Sequence, residues 1–555
     1  MHELEFRLMS AGAAEPGIET GPSQPEARGS VPELPRRFNA AVYFVDRHLR
    51  EGRGAKAALI DDAGAHPYAE LADRVNRFGN VLKRLAILAE QRVMLCLPDG
   101  IDFPAAFWGT IKTGAVAVPA NPMLSADDYG YLLANTRARA LVVSRSLLDR
   151  LAPALTGAQF LQSVLVVDWE PDLEASVAPE LRAKLLDLRR LSEQASPELQ
   201  AAATVADDIA FWLYSSGSTG RPKAVMHRHE SLFYTALLSG QRALGIGSED
   251  VIFSAAKMFF AYGLGNSVSI PLAAGATAVV SAERSTPKLV ASVMERHQPT
   301  VFFAVPTLYS ALLGEGGLGP AQISRRLRLC ASAGEALPAE LAERWQERFG
   351  VEILDGLGST EMLHNFLSNR PGQNRPGASG RPVPGYTVMV LNEEGEQLAP
   401  GEVGDLWCRG PSAASGYWNN RQASKRTFLG PWVRTGDKYT RDADGYFHYV
   451  GRSDEMLKVS GMWVSPFEVE SALASHPQVS EAAVVGRADA DGLVKPKAFV
   501  VPRAGAAPSA ALAEELKAFV KQRLLPHKYP RWIEFREQLP RTATGKIQRF
   551  KLREP

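Results

Sequence analysis

Tyr214-Ser-Ser-Gly-Ser-Thr-Gly-Arg-Pro-Lys223 decides how this chain is read. It follows the apolar run Ile209–Leu213, so a strand is expected to enter a loop of glycines and hydroxyl side chains. Gly217 and Gly220 let backbone N–H groups approach a polyphosphate, Ser215, Ser216, Ser218 and Thr219 add hydroxyl donors, and Lys223 adds a positive charge. Such a segment is a phosphate cradle. It is not the G-x-x-x-x-G-K-[ST] nucleotide loop, because Lys223 follows Pro222 and Ala224 stands where that pattern needs a magnesium-binding hydroxyl. The composition also suits a solvated Ser/Gly linker, but linkers rarely open on an apolar run.

On both sides of the loop, helical periods alternate with short apolar runs. Tyr68–Leu85 and Phe103–Thr113 read as helices, whereas Arg92–Leu97, Ala115–Pro119, Ala140–Ser144, Val164–Val167, Ala276–Ser281, Thr300–Val305 and Leu327–Ala331 read as strands. This rhythm predicts an α/β fold, a large multi-subdomain body of layered sheets and helices. After about Val388 the reading turns β-rich, through Val388–Leu391, Gly404–Arg409 and Tyr446–Val450. A boundary is expected near Gly451–Glu455, followed by a small α+β domain with helices Pro466–Ser475 and Ala511–Leu524 and strands Val479–Gly486 and Ala498–Pro502. The expected division is a disordered tail over 1–35, a body over 36–452 and a mobile C-terminal domain over 453–555. The tail is rich in Gly, Ala, Pro and Glu and too poor in large apolars to offset its ordering entropy.

The bulk properties narrow the function. The chain has 555 residues, more than one core usually serves, and its 62 Lys and Arg nearly cancel its 61 Asp and Glu. No global field favours nucleic acid or an anionic membrane, so an anionic ligand must meet a local site. Cys96, Cys330 and Cys408 are scattered in apolar surroundings, which suits small buried hydrophobes in a reducing compartment rather than a disulfide framework or a zinc site. No signal peptide and no membrane-length apolar run is read, so the cytoplasm is the expected location.

Further segments then fall in a fixed order: Ser332-Ala-Gly-Glu-Ala336, Asp355-Gly-Leu-Gly-Ser-Thr-Glu361, Arg434-Thr-Gly-Asp437, Gly451-Arg-Ser-Asp-Glu-Met-Leu-Lys-Val-Ser-Gly461 and Pro540-Arg-Thr-Ala-Thr-Gly-Lys546. With the phosphate loop, this set resembles the adenylate-forming superfamily of acyl-CoA synthetases, luciferase-like enzymes and peptide-synthetase adenylation domains, from about Phe38 to the C-terminus. The resemblance assigns adenine to Gly334, Glu335 and Ala336 and to Asp355, Gly356 and Leu357. It gives Thr360 a phosphate and Glu361 a magnesium ion, which prefers hard carboxylate and phosphate oxygens. It assigns the ribose to Asp437 and the ribose or phosphate side to Arg452. Lys546 is the residue expected to carry the first step, since a carboxylate attacking a phosphate is opposed by charge that a lysine between them relieves. Asp454 is the implied hinge for rotation of the small domain, and Lys458, Ser460, Gly461 and Trp463 the implied coenzyme A tunnel.

Lys257-Met-Phe-Phe-Ala-Tyr-Gly-Leu-Gly-Asn266 and Ser359-Thr-Glu-Met-Leu-His364 resemble the benzoate-CoA ligase branch. Phe260, Ala261, Tyr262 and Gly263, with Leu357, Gly358 and His364, are then the expected acid pocket, in which aromatic walls beside one small residue suit a flat ring. The glycines at 263, 265, 356 and 358 are read as leaving room. Leu357 replaces an expected isoleucine and Asn365 an expected apolar residue, and Ala224 replaces a glycine. These departures spare the nucleotide machinery and bear on the acid. The reading is an ATP- and Mg2+-dependent aryl acid-CoA ligase acting on benzoate, with 2-aminobenzoate, hydroxybenzoate or a carrier-protein-loading adenylation enzyme as alternatives, and with a monomer or homodimer as the assembly.

Overall fold

The computed structural model describes residues 31–171, 173, 177–215, 221–314, 317–459, 462–489, 493–541 and 547–553. Among these, two large sheets form the body. One has eight strands, in the order Gly416–Tyr417, Lys223–Arg228, Ile209–Ser215, Val116–Pro119, Arg92–Cys96, Ala140–Val143, Ser163–Val166 and Leu185–Asp187. The other has nine, in the order Arg381–Pro382, Asn365–Ser368, Ile353–Gly358, Leu329–Ser332, Val301–Ala304, Val251–Ser254, Thr277–Val279, Ala57–Asp61 and Gly64–Pro67.

One continuous apolar cluster takes side chains from both sheets, including Val93, Leu95, Ile252 and Phe303, and from helices Tyr68–Arg84 and Asp102–Lys112. Every residue from Phe103 to Lys112 is buried, which is the signature of a helix enclosed on all sides. The two helices pack closely because a side chain on Gly109 would meet Phe78 at 2.7 Å. Lys112, inside this layer, is neutralised by Asp46 at 2.7 Å and accepted by Asn76 at 2.6 Å.

A five-stranded antiparallel sheet follows, in which Trp432–Arg441 pairs with Gly404–Arg409, Phe428–Leu429 and Phe447–Arg452. Arg434-Thr-Gly-Asp437 therefore lies inside a strand, whose register shifts between Asp405 and Trp407. The last unit pairs Leu457–Val459 with Met462–Val464 and packs helices Pro466–Ala474 and Ala510–Arg523 on the sheet Val479–Ala488, Val494–Pro502 and Trp532–Phe535.

The packed body begins ahead of the position where the tail was expected to end. Val31 and Leu34 pack on the cluster around Leu238 and Tyr386, and the Pro32 carbonyl accepts the Tyr234 hydroxyl at 3.2 Å. Residues 1–30, the rest of that tail, lie outside the described residues. The three cysteines are buried free thiols. Among the described residues, no helix is long and apolar enough to cross a membrane.

Candidate functional site

Strands Val251–Ser254, Val301–Ala304, Leu329–Ser332 and Ile353–Gly358 are mutually parallel neighbours, so their C-terminal ends share one edge of the sheet. The segments that follow them are the aromatic stretch from Lys257, the Gly334–Ala336 turn and Ser359-Thr360-Glu361. Ligands of α/β sheets bind beyond that edge. The Gly334 backbone takes φ 93°, a left-handed turn that suits glycine.

The antiparallel hairpin Ile209–Ser215 and Lys223–Arg228 flanks the segment expected to cradle phosphate, with Ser215 opposite Lys223. Ser216, Gly217, Ser218, Thr219 and Gly220 lie outside the described residues. The hairpin is tied to the second sheet by side chains that sequence reading missed. His227 Nε2 lies 2.8 Å from the Thr360 carbonyl, and burial pushes the imidazole down to about 4, so the neutral ring donates. Tyr417 donates its hydroxyl to Glu361 Oε1 at 2.7 Å. The Ala414 N–H reaches the Glu361 carbonyl at 2.9 Å, and the Ser415 N–H reaches the Met226 carbonyl at 2.9 Å. Lys223 Nζ stands 5.1 Å from the centre of the Tyr417 ring.

In the third sheet Asp437 lies opposite Arg452, whose Nη1 donates to Asp437 Oδ1 at 3.0 Å and to the Thr435 carbonyl at 3.2 Å. Arg452 Nε stands 3.5 Å from Asp454 Oδ1. Asp405, also missed, is buried and gathers Arg434 at 2.7 Å, Lys438 at 2.8 Å and the Ser453 hydroxyl at 3.1 Å. Lys438 and Arg434 hold its carboxyl below the usual range against the cost of burial. Asp355 has no such cations among the described residues, and burial pushes its carboxyl well up.

Around the expected acid pocket, Tyr262 and His364 are stacked with centroids 5.6 Å apart, and Phe259 and Phe260 meet at 4.1 Å. His364 Nε2 lies 3.0 Å from Asn266 Oδ1, and burial lowers the ring to about 4. The stretch is pinned at its start, where the Met258 N–H donates to buried Asp99 at 3.1 Å. The glycines read as leaving room are filled positions instead. An added side chain would meet the Lys257 carbonyl at 2.0 Å from Gly263, His364 at 2.3 Å from Gly265, and Asn365 at 2.4 Å from Gly356 and 2.7 Å from Gly358. Asn365 thus packs over the two strand glycines, with Leu357 between them.

Lys546 lies outside the described residues, but the base of its segment does not. Arg541 and Ile547 form a β-bridge, and Arg541 reaches Glu481 at 2.8 Å and Glu335 at 3.9 Å. The small domain therefore touches the Gly334–Ala336 turn. Lys458 is exposed opposite Trp463 in the two-stranded sheet, and Ser460 and Gly461 lie outside the described residues.

Residues 45–418 match the AMP-binding enzyme family, and residues 468–546 match the AMP-binding enzyme C-terminal domain. The chain belongs to the AMP-binding, adenylate-forming enzymes. A benzoate-CoA ligase of Thauera aromatica is 51% identical over 525 residues, covering 94% of this chain and 97% of that one. Among solved structures, a benzoate CoA ligase from Burkholderia xenovorans LB400 superposes with a TM-score of 0.85 at 49% identity, covering 93% of this chain and all (100%) of that one. An anthranilate CoA ligase in complex with anthranoyl-AMP superposes with a TM-score of 0.88 at 39% identity, covering 94% and 97%. Within this adenylate-forming family the present chain falls in the benzoate-CoA ligase branch.

The family implies magnesium, and the residues fit it. Glu361 offers a hard carboxylate that takes one hydrogen bond and enters no ion pair among the described residues. Magnesium is commonly held by one or two carboxylates with substrate phosphates, and among the described residues no group of three or more His, Cys, Asp or Glu forms a separate metal cage.

Proposed function

We propose that this adenylate-forming enzyme is an AMP-forming aryl acid-CoA ligase acting on benzoate. A carboxylate oxygen of the acid attacks the α-phosphorus of ATP, the bond to pyrophosphate breaks, and an aryl-adenylate forms. The thiol of coenzyme A then attacks the acyl carbon, the bond to AMP breaks, and the thiol proton is released. The observation that carries this reading is the tie between the phosphate hairpin and Thr360-Glu361 through His227 and Tyr417. It joins two segments that a polyphosphate needs at once. Benzoate is supported by the similarity to benzoate-CoA ligases along nearly the whole chain.

In this reading Ser215, the loop after it and Lys223 hold the phosphates, and the Gly334–Ala336 turn and Asp355–Leu357 frame the adenine. Asp437 accepts from the ribose and Arg452 orients Asp437. Glu361 would hold magnesium, which neutralises phosphate charge when bound, and Thr360 donates to phosphate. Lys546 stabilises the charge that develops during the first step. The small domain, 453–555, then turns about Asp454 so that Lys458, Ser460, Gly461 and Trp463 line the thiol path. The expected location is the cytoplasm.

One observation favours a second acid. Tyr262 Oη and Asn266 Nδ2 are buried and have only each other as a polar neighbour of loose geometry among the described residues, and a ring hydroxyl or amino group would satisfy such atoms more fully. The test is a panel of benzoate, 2-aminobenzoate, hydroxybenzoates and medium-chain fatty acids, scored by pyrophosphate and AMP release with Mg2+, ATP and free coenzyme A. Turnover of benzoate ahead of fatty acids supports the reading. No pyrophosphate release with any aryl acid overturns it, and adenylation without use of free coenzyme A replaces it with carrier-protein loading.

A further inference from the structure

Lys223, on a strand of the eight-stranded sheet, and Glu361, in the turn after a strand of the nine-stranded sheet, carry opposite charges and form no ion pair with each other; both meet Tyr417 instead. The tyrosine is buried and fixed on every side. Its strand Gly416–Tyr417 pairs with Lys223–Arg228, with Tyr417 opposite Val225. Its backbone N–H donates to Ser424 Oγ at 3.0 Å, and its ring meets Phe428 edge-on at 5.3 Å. From this mount the hydroxyl donates to Glu361 Oε1 at 2.7 Å, with Thr427 Oγ1 at 3.4 Å as its other neighbour, while Lys223 Nζ lies 5.1 Å from the ring centre.

We infer that Tyr417 is a positioning residue for the first half-reaction, holding the Glu361 carboxylate where a magnesium-triphosphate meets both it and Lys223. The inference rests on the proposed function and adds the residue that sets the metal carboxylate. A side chain free to rotate would let the carboxylate turn to water or toward the lysine, and either arrangement must be broken before phosphate and metal enter. A hydrogen bond from a rigid phenol to a carboxylate removes that cost and leaves the second carboxylate oxygen available. The cation over the ring face adds a weaker constraint on Lys223.

The test is Tyr417→Phe, which keeps the ring, its packing on Phe428 and the lysine contact, and deletes only the donor. In full-length protein with ATP and benzoate, the Mg2+ concentration giving half-maximal pyrophosphate release is expected to rise about 10-fold, the usual scale for a hydrogen bond to a charged group. Retention of Mn2+ in the presence of ATP, read by electron paramagnetic resonance, should weaken by a similar factor. Thioesterification of supplied benzoyl-adenylate should stay within about 2-fold, since the metal carboxylate acts in the other half-reaction. In a Glu361→Gln background, Tyr417→Phe should add no further loss. Unchanged Mg2+ dependence and Mn2+ retention overturn the inference, as does an equal fall in both half-reactions or a full additional loss in the Glu361→Gln background. If wild-type protein retains Mn2+ with ATP but activates no aryl acid, the proposed function fails alone, because the retention comparison still reads the Tyr417 contact.

Discussion

The imidazole of His364 lies directly against the α-carbon of Gly265, so that a β-carbon there would stand 2.3 Å from His364 Cδ2. The histidine cannot retreat easily, because its Nε2 meets Asn266 and its ring stacks on Tyr262. Gly265→Ala should therefore push His364 and Tyr262 together out of place. Overpacking of this kind costs roughly 1–3 kcal/mol. The expected result is a lower unfolding midpoint and a KM for benzoate raised several-fold, with the KM for ATP within about 2-fold. Steady-state kinetics in each substrate checks it, and an equal rise in both KM values would count against an acid pocket beside His364.

Asp437 accepts a hydrogen bond from Arg452, which is also drawn toward Asp454. Asp437→Asn preserves shape but removes the charge that Arg452 faces, and a hydrogen bond to a charged group is worth about 1.5–3 kcal/mol. The KM for ATP should rise at least about 10-fold while thioesterification of supplied benzoyl-adenylate slows less. Isothermal binding of ATP to the variant checks the first part directly, and undiminished affinity would remove Asp437 from the nucleotide site.

Several parts of this architecture were legible in the sequence because their causes are local. Helix Tyr68–Arg84 follows its apolar period within one residue of the expected end, and strand Gly404–Arg409 falls on the expected bounds. The order of strands in the two large sheets was not legible, since it depends on which apolar faces meet after the chain has crossed between layers. Tyr417 and His227 were missed for a related reason: they act on residues 56 and 133 positions away, and nothing in their own neighbourhoods marks the partner. The glycines near the expected acid pocket illustrate the reverse error. Their small size was visible, but whether it makes a space or admits a neighbour depends on His364, Asn365 and the Lys257 carbonyl, which only the fold brings there.

His227 and His364 are both buried and neutral, each lowered by burial to about 4 from the usual 6.5. Between those values the unfolded chain binds protons that the folded protein refuses, so stability is full above about pH 6.5 and falls as pH drops toward 4. At pH 5 each histidine should cost about 2 kcal/mol relative to neutral pH. The urea midpoint should therefore fall between pH 7 and pH 5, and His364→Gln should fall by less than wild type over the same interval. Parallel falls in the two proteins would mean that His364 does not carry its share.

Lys546 offers the sharpest division between the two half-reactions. The base of its segment is closed by the Arg541–Ile547 bridge and stands near Glu335, so the small domain faces the Gly334–Ala336 turn in this arrangement. In the proposed mechanism a lysine delivered there would meet the acid and the α-phosphate, two groups that repel each other until a cation lies between them. Preorganised charge at such a point contributes on the order of 100-fold or more in rate. Lys546→Ala should lower benzoate-dependent pyrophosphate release by at least that factor, yet leave conversion of supplied benzoyl-adenylate and coenzyme A to the thioester within a few-fold, because rotation about Asp454 would carry the lysine away before the thiol arrives. Rapid-quench measurement of each half-reaction separates the two. A variant slowed equally in both would require the lysine to stay at the site throughout and would dispense with the rotation.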